Sequence, residues 1–141
     1  MNTPLAEIIA RHAGREGPLL PILHDVQHAQ GFIGEDDIGT IALALNLSRA
    51  EVSGVVSFYH DFRRAAEPLP VVKLCRAEAC QARGSEPLAA WAEGVAQGRV
   101  KLEAIYCLGL CAAGPSAMVG DQVFARLDPP ALAALIDATA R

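Results

Sequence analysis

The sequence predicts an α+β chain in two parts, a small N-terminal helical bundle over residues 1–66 followed by an α/β domain over residues 67–141. Three observations predict it. Apolar residues recur at helical spacing through roughly the first sixty positions. The segment R-R-A-A-E-P-L-P, residues 63–70, then breaks that period with two prolines. Beyond it, two apolar runs, V-V-K-L and V-K-L-E-A-I-Y, frame a helical stretch, and each leads into a pair of cysteines.

Residues 3–13 read as a first helix, with Thr3 as N-cap, Pro4 in the first turn and Leu5, Ile8 and Ile9 on one face. A second starts near Pro18, carries Leu19, Ile22, Leu23 and Val26 at i, i+3, i+4 and i+7, and closes at Gly31. Glu35, Asp36 and Asp37 suit the positive end of a third, whose stripe is Ile38, Ile41, Ala42 and Leu45. Ser48 and Glu51 form a capping-box pattern opening a fourth, with Val52, Val55, Val56 and Tyr59 expected inside. A bundle this small is marginal alone and is expected to lean on a partner.

After the proline break, V-V-K-L reads as a strand. Ser85 is expected to cap a helix through Trp91 and Val95 that Gly98 stops, and a second strand follows. Such a crossover returns its second strand parallel to the first, so the loops after both strands emerge at one sheet edge. S-A-M-V and Q-V-F-A-R around Gly120-Asp121 read as a hairpin. Asp128 and Pro129 open a last helix, with Leu132, Leu135 and Ile136 facing the sheet. The order β-α-β-β-β-α is a thioredoxin-like arrangement.

Composition narrows the function classes. A hydrophobic share of 52% supports a true core, and 5% aromatic makes it one of Leu, Val, Ala and Ile. A net charge of −4 without a Lys/Arg cluster argues against nucleic acid. No apolar run approaches the roughly 18 residues of a membrane span. The N-terminus lacks a basic stretch followed by an apolar one, so the expected location is cytoplasmic, where thiols stay reduced.

The four cysteines fall in two tight pairs, Cys75 and Cys80 as C-x4-C, Cys107 and Cys111 as C-x3-C. A 2Fe–2S cluster takes four thiolates, two on each iron, and two short cysteine loops at one sheet edge supply them. Structural zinc also takes four thiolates, although its ribbons usually repeat C-x2-C knuckles. The C-x-x-C of a dithiol redox catalyst is absent. Plain burial of free cysteine is the remaining reading. Spacing favours iron–sulfur and leaves zinc as the alternative.

From G-V-V-S-F-Y-H-D-F through C-R-A-E-A-C-Q and C-L-G-L-C-A-A-G-P to the C-terminus, the chain resembles the thioredoxin-like 2Fe–2S subunit of NADH-linked oxidoreductases. L-L-P-I-L-H-D-V-Q matches the helical segment of that family. The resemblance implies one 2Fe–2S cluster on Cys75, Cys80, Cys107 and Cys111. It also implies docking of the bundle on a flavoprotein subunit that holds FMN and the NAD site. Within the family, S-F-Y-H-D-F-R and C-R-A-E-A-C-Q resemble the gamma subunit of soluble NAD-dependent formate dehydrogenases. That likeness implies a further catalytic subunit with a molybdenum cofactor and iron–sulfur centres. The rival from another class is a zinc-stabilised interaction module.

Other residues draw attention and are read structurally. His24 and His28 stand at i, i+4 without a third ligand, and His60 and Asp61 sit near a helix end. Arg76 and Arg83 flank the first cysteine loop, either as solvated side chains or as compensation for cluster charge. Gly109 and Gly114 are expected to let the backbone approach the sulfurs. No Ser/His/Asp set, phosphate loop or pterin signature is present, so no catalytic residue is assigned to this chain.

Overall fold

In a computed structural model, which describes residues 3–141, the chain divides after Glu67 into two compact units. The first holds four helices, α1 (Leu5–Arg11), α2 (Leu19–Gln30), α3 (Glu35–Leu45) and α4 (Arg49–Phe58). The first helix keeps its apolar face but is shorter than the expected 3–13. Pro4 is the N-cap rather than Thr3, because its extended ψ of 142° lies outside the helix. Beyond Arg11, the amides of His12 and Ala13 turn to carbonyls three residues back, and the chain leaves the helix at Gly14, φ 78°.

The other three helices keep their expected punctuation. Gly31 closes α2 in the left-handed region, and Asn46 closes α3 in the same way. The Gly34 amide donates to Asp37 Oδ2 at 2.8 Å, so one of the three first-turn carboxylates also acts as a cap. In the Ser48–Glu51 capping box, the Glu51 amide donates to Ser48 Oγ at 3.1 Å and the Ser48 amide to Glu51 Oε2 at 2.8 Å. The Ser48 amide and then the Ser48 hydroxyl, both donating to it, hold the Glu51 carboxyl below its usual range. The stripes meet in a core built around Ile8, Ile22, Leu23, Ile38, Ile41 and Val52. Tyr59 is the exception: it falls one residue past α4, at an extended ψ of 112°, and lies exposed.

The Gln27 side chain helps to fasten the chain after α4. Gln27 Nε2 donates to the Asp61 carbonyl at 2.5 Å, and the Arg63 amide donates to Gln27 Oε1 at 2.6 Å. The Ile33 amide then donates to the Arg63 carbonyl at 2.7 Å.

The second unit is a four-stranded sheet in the order β2-β1-β3-β4. Its strands are β1 (Val71–Cys75), β2 (Lys101–Ile105), β3 (Ala117–Val119) and β4 (Gln122–Phe124). β1 runs parallel to β2, with Cys75 opposite Ile105, and antiparallel to β3, which forms the hairpin with β4. α6 (Ser85–Ala96) and α7 (Pro129–Thr139) pack on each other and on β1. Val72 and Leu74 on β1, Ala92, Leu132 and Ile136 share their core. Asp128 caps α7 as expected, its Oδ1 accepting the Ala131 amide at 2.9 Å.

Ser85 does not cap α6. Gly84, at φ 91°, holds that place because only glycine adopts this backbone freely, and Ser85 becomes the first helical residue. The sequence pattern also missed α5 (Glu78–Gln81), a single turn inside the first cysteine loop. Among the described residues no helix is long and apolar enough to cross a membrane.

Gln27→Ala is expected to destabilise the first unit by about 1 kcal/mol, because it removes two hydrogen bonds to the backbone after α4, one exposed and one part-buried. The check is hydrogen exchange, with protection lost first at the Arg63 amide.

Candidate metal centre

Both cysteine loops start from the same edge of the sheet. Cys75 is the last residue of β1, and the Arg76 amide extends the parallel ladder by donating to the Ile105 carbonyl at 2.8 Å. One residue past Tyr106, Cys107 takes a left-handed φ of 75°. For a side-chain-bearing residue this conformation costs on the order of 1 kcal/mol. It turns the Cys107 amide back toward β1, where it donates to Cys75 Sγ at 3.4 Å. Gly109, also at φ 75°, donates its amide to Cys107 Sγ at 3.4 Å.

The two pairs differ in burial. Cys75 and Cys80 are 2% and 1% exposed, whereas Cys107 and Cys111 face the surface. α5 carries Cys80 inward, and the chain at Gly114 closes over it: a Cβ there would stand 3.0 Å from Cys80 Sγ. Cys111 opens a 3-10 turn, Cys111–Ala113, that brings its Sγ to 3.6 Å from Cys107 Sγ. An edge of a tetrahedron with metal–sulfur bonds of about 2.3 Å measures about 3.8 Å. The outer pair is therefore spaced to share one metal ion.

The surroundings favour anionic sulfur at one position in particular. Burial pushes the Cys75 thiol up, but the amides of Ala77, Cys107 and Leu108 and the Cys80 thiol outweigh it and leave Cys75 below its ordinary value. Cys80 is pushed up by burial and by the Cys75 sulfur, and Cys111 is pushed up by the Cys107 sulfur. Cys80 and Cys111, each hindered from ionising by a neighbouring sulfur, are poorly placed as free thiols and well placed as donors to cations. Among the described residues, no three His, Cys, Asp or Glu close around a single point. The sulfurs come as two pairs, an arrangement for two metal ions held side by side.

Other sequence candidates fall outside this arrangement. The Arg76 guanidinium is engaged by Glu86, Nε donating to Oε1 at 2.8 Å and Nη2 to Oε2. Its pairing raises the Arg76 pKa and lowers that of Glu86, so this cation already has a carboxylate for compensation. Arg83 keeps its place beside the site, with Cδ 3.4 Å from where a Gly114 side chain would start. His24 packs its ring on Phe62 at 4.9 Å, and His24, His28 and His60 all lie exposed in the first unit. Gly109 and Gly114 perform the close approaches expected of them. Ser116, which drew no attention in the sequence, sits 1% exposed with Oγ 3.7 Å from Cys80 Sγ. A small polar residue five positions after a ligand candidate was the available signal.

Fold and site together define a class: small α/β proteins presenting paired thiols at one edge of a sheet. The chain belongs to the thioredoxin-like [2Fe-2S] ferredoxin family, whose profile matches residues 5–140. The cofactor of that family, and of this chain, is a 2Fe–2S cluster. A component of the NADH-quinone oxidoreductase of Mycobacterium tuberculosis is 31% identical over 140 residues, covering 93% of this chain and 56% of that one. The chain thus spans little more than half the length of that relative. NADP-reducing hydrogenase subunit HndA of Solidesulfovibrio fructosivorans is 28% identical over 124 residues, covering 82% of this chain and 72% of its own. In the crystal structure of an NAD+-reducing [NiFe]-hydrogenase in the H2-reduced state, one chain shares the fold with a TM-score of 0.70 at 21% identity. That match covers 86% of this chain and 22% of the other.

Gly114→Ala is expected to displace Cys80 Sγ and weaken retention of iron by on the order of tenfold. The check is iron per chain after challenge with a chelator. Gly94→Ala, where an added Cβ meets no atom within 4 Å, is the control expected to retain its iron.

Proposed function

We propose that this chain is an electron-transfer subunit of an NAD-linked oxidoreductase, binding its 2Fe–2S cluster through Cys75, Cys80, Cys107 and Cys111. The observation that carries the reading is the meeting of the two loops, with the Cys107 amide on Cys75 Sγ and the Cys107 and Cys111 sulfurs 3.6 Å apart. Amide donors on sulfur favour the more negative, reduced state of such a centre. The names of the relatives, an NADH-quinone oxidoreductase and an NADP-reducing hydrogenase, support an NAD-linked setting. There the chain exchanges single electrons with the FMN of a flavoprotein subunit, on which the NAD site lies. The stretches S-F-Y-H-D-F-R and C-R-A-E-A-C-Q support the narrower reading of a cytoplasmic formate dehydrogenase, with a molybdenum-containing catalytic subunit.

Residues 1–66 supply the docking surface for the flavoprotein in this reading. Leu43 and Phe58 are 86% and 74% exposed, and Leu20, Leu45, Leu47, Val55 and Tyr59 line an open groove of about 460 Å³. Exposed apolar side chains beside an apolar groove are a usual mark of an interaction site.

The purified chain is expected to be coloured, to hold two irons, and to give a paramagnetic signal only after reduction. Serine is a poorer ligand for iron than thiolate, so each of Cys75→Ser, Cys80→Ser, Cys107→Ser and Cys111→Ser is expected to lose or destabilise the cluster. His24→Ala is expected to keep it. Stoichiometric zinc in a colourless protein would replace this reading with the zinc-stabilised interaction module.

The docking surface is checked with Leu43→Asp and Phe58→Asp combined. The doubly substituted chain is expected to keep its two irons but to lose co-purification with the flavoprotein. Undiminished co-purification would move the interface to residues 67–141. Molybdenum in the wild-type complex checks the formate dehydrogenase assignment.

A further inference from the structure

Ser116 is one of two polar residues buried among those described, the other being Ser85. Burying a hydroxyl without a hydrogen bond costs about 1–3 kcal/mol, and alanine at the same place would avoid that cost. The Ser116 backbone is fixed from both sides. Its carbonyl accepts the Cys75 amide at 2.9 Å, and the next residue, Ala117, pairs with Leu74 across β3 and β1. This leaves the hydroxyl aimed at one partner, Cys80 Sγ, at 3.7 Å, a separation that the large radius of sulfur allows.

A neutral thiol is a weak acceptor, and either atom of the pair could then be the donor. A thiolate bound to iron has no proton, so only Ser116 can donate, and a charge-assisted bond is about twice as strong as a neutral one. The hydroxyl therefore offsets its burial best when Cys80 is a ligand. Because both groups are almost wholly withdrawn from water, solvent does little to screen the contact.

We propose that Ser116 is a positioning and tuning residue, donating its hydroxyl proton to Cys80 Sγ and thereby raising the reduction potential of the centre. The proposal rests on Cys80 being a cluster ligand. Reduction adds one electron, from a reduced flavin in the complex or from dithionite in the cuvette. No bond to Ser116 forms or breaks and no proton leaves it. Negative charge on the sulfurs rises with that electron, so the O–H dipole stabilises the reduced state more than the oxidised one.

The test is redox potentiometry of the full, iron-loaded chain, followed by its paramagnetic signal, with resonance Raman spectra in H2O and D2O. Ser116→Ala is expected to shift the reduction equilibrium about tenfold toward the oxidised state, or about 59 mV for one electron. It is also expected to remove part of the deuterium shift of the iron–cysteine bands. Ser116→Thr and Ser116→Val have the same shape and differ only in the hydroxyl. Thr is expected to stay near wild type and Val to follow Ala. Equal potentials for Thr and Val, or an unchanged potential in Ala at full iron content, would overturn the proposal. Loss of the cluster from all three variants would overturn it too, by making Ser116 a packing residue. A wild-type chain without iron would instead sink the ligation reading itself, so the two failures are distinguishable.

Discussion

Parallel pairing of β1 with β2 is the constraint from which the centre follows. Two strands joined by a helical crossover must end at the same edge, and here their last residues, Cys75 and Ile105, lie directly opposite each other. The ladder runs one step further through the Arg76 amide, and only then does the second loop turn back at Cys107. Its amide reaches Cys75 Sγ because the two chain ends are already neighbours. Removing that pairing would leave two loops, each with its own cysteines and no common point.

Upon that frame the two halves of the site are built differently. The inner half is built on regular structure: Cys75 lies in a strand, Cys80 on a helical turn, with Gly114 and Ser116 against the Cys80 sulfur. The outer half is a loop with a left-handed cysteine, a left-handed glycine and a 3-10 turn. Cys107 and Cys111 leave one side of the centre open to the surface, while Cys75 and Cys80 lie buried.

Much of this was legible in the sequence because it depends on period and punctuation. The helical stripes of the first unit, the Ser48–Glu51 box, the Asp128 cap, the parallel strands and the hairpin each reside in a few adjacent residues. The misses share a different cause. Gly84 took the cap from Ser85 because a turn of positive φ precedes α6, and the sequence places two acceptable caps side by side. Tyr59 fell outside because α4 ends one residue before the stripe does. Arg76, read as solvated or as compensation for cluster charge, instead pairs with Glu86, which the fold brings beside it from ten positions later. The contact of Ser116 with Cys80 and the turn of the Cys107 amide onto Cys75 went unforeseen for the same reason: each links residues 32 or more positions apart.

The unequal burial of the sulfurs has a consequence for the life of the protein outside its redox cycle. Oxidants arrive from water, and thiol damage follows access as well as ionisation. The weathered side of the centre is Cys107 and Cys111, and the sheltered side is Cys75 and Cys80. A chain that loses its metal thus meets peroxide with its loop-borne thiols first. The thiols that sit in the strand and helix are reached later, so the first chemical injury falls on one pair and spares the other.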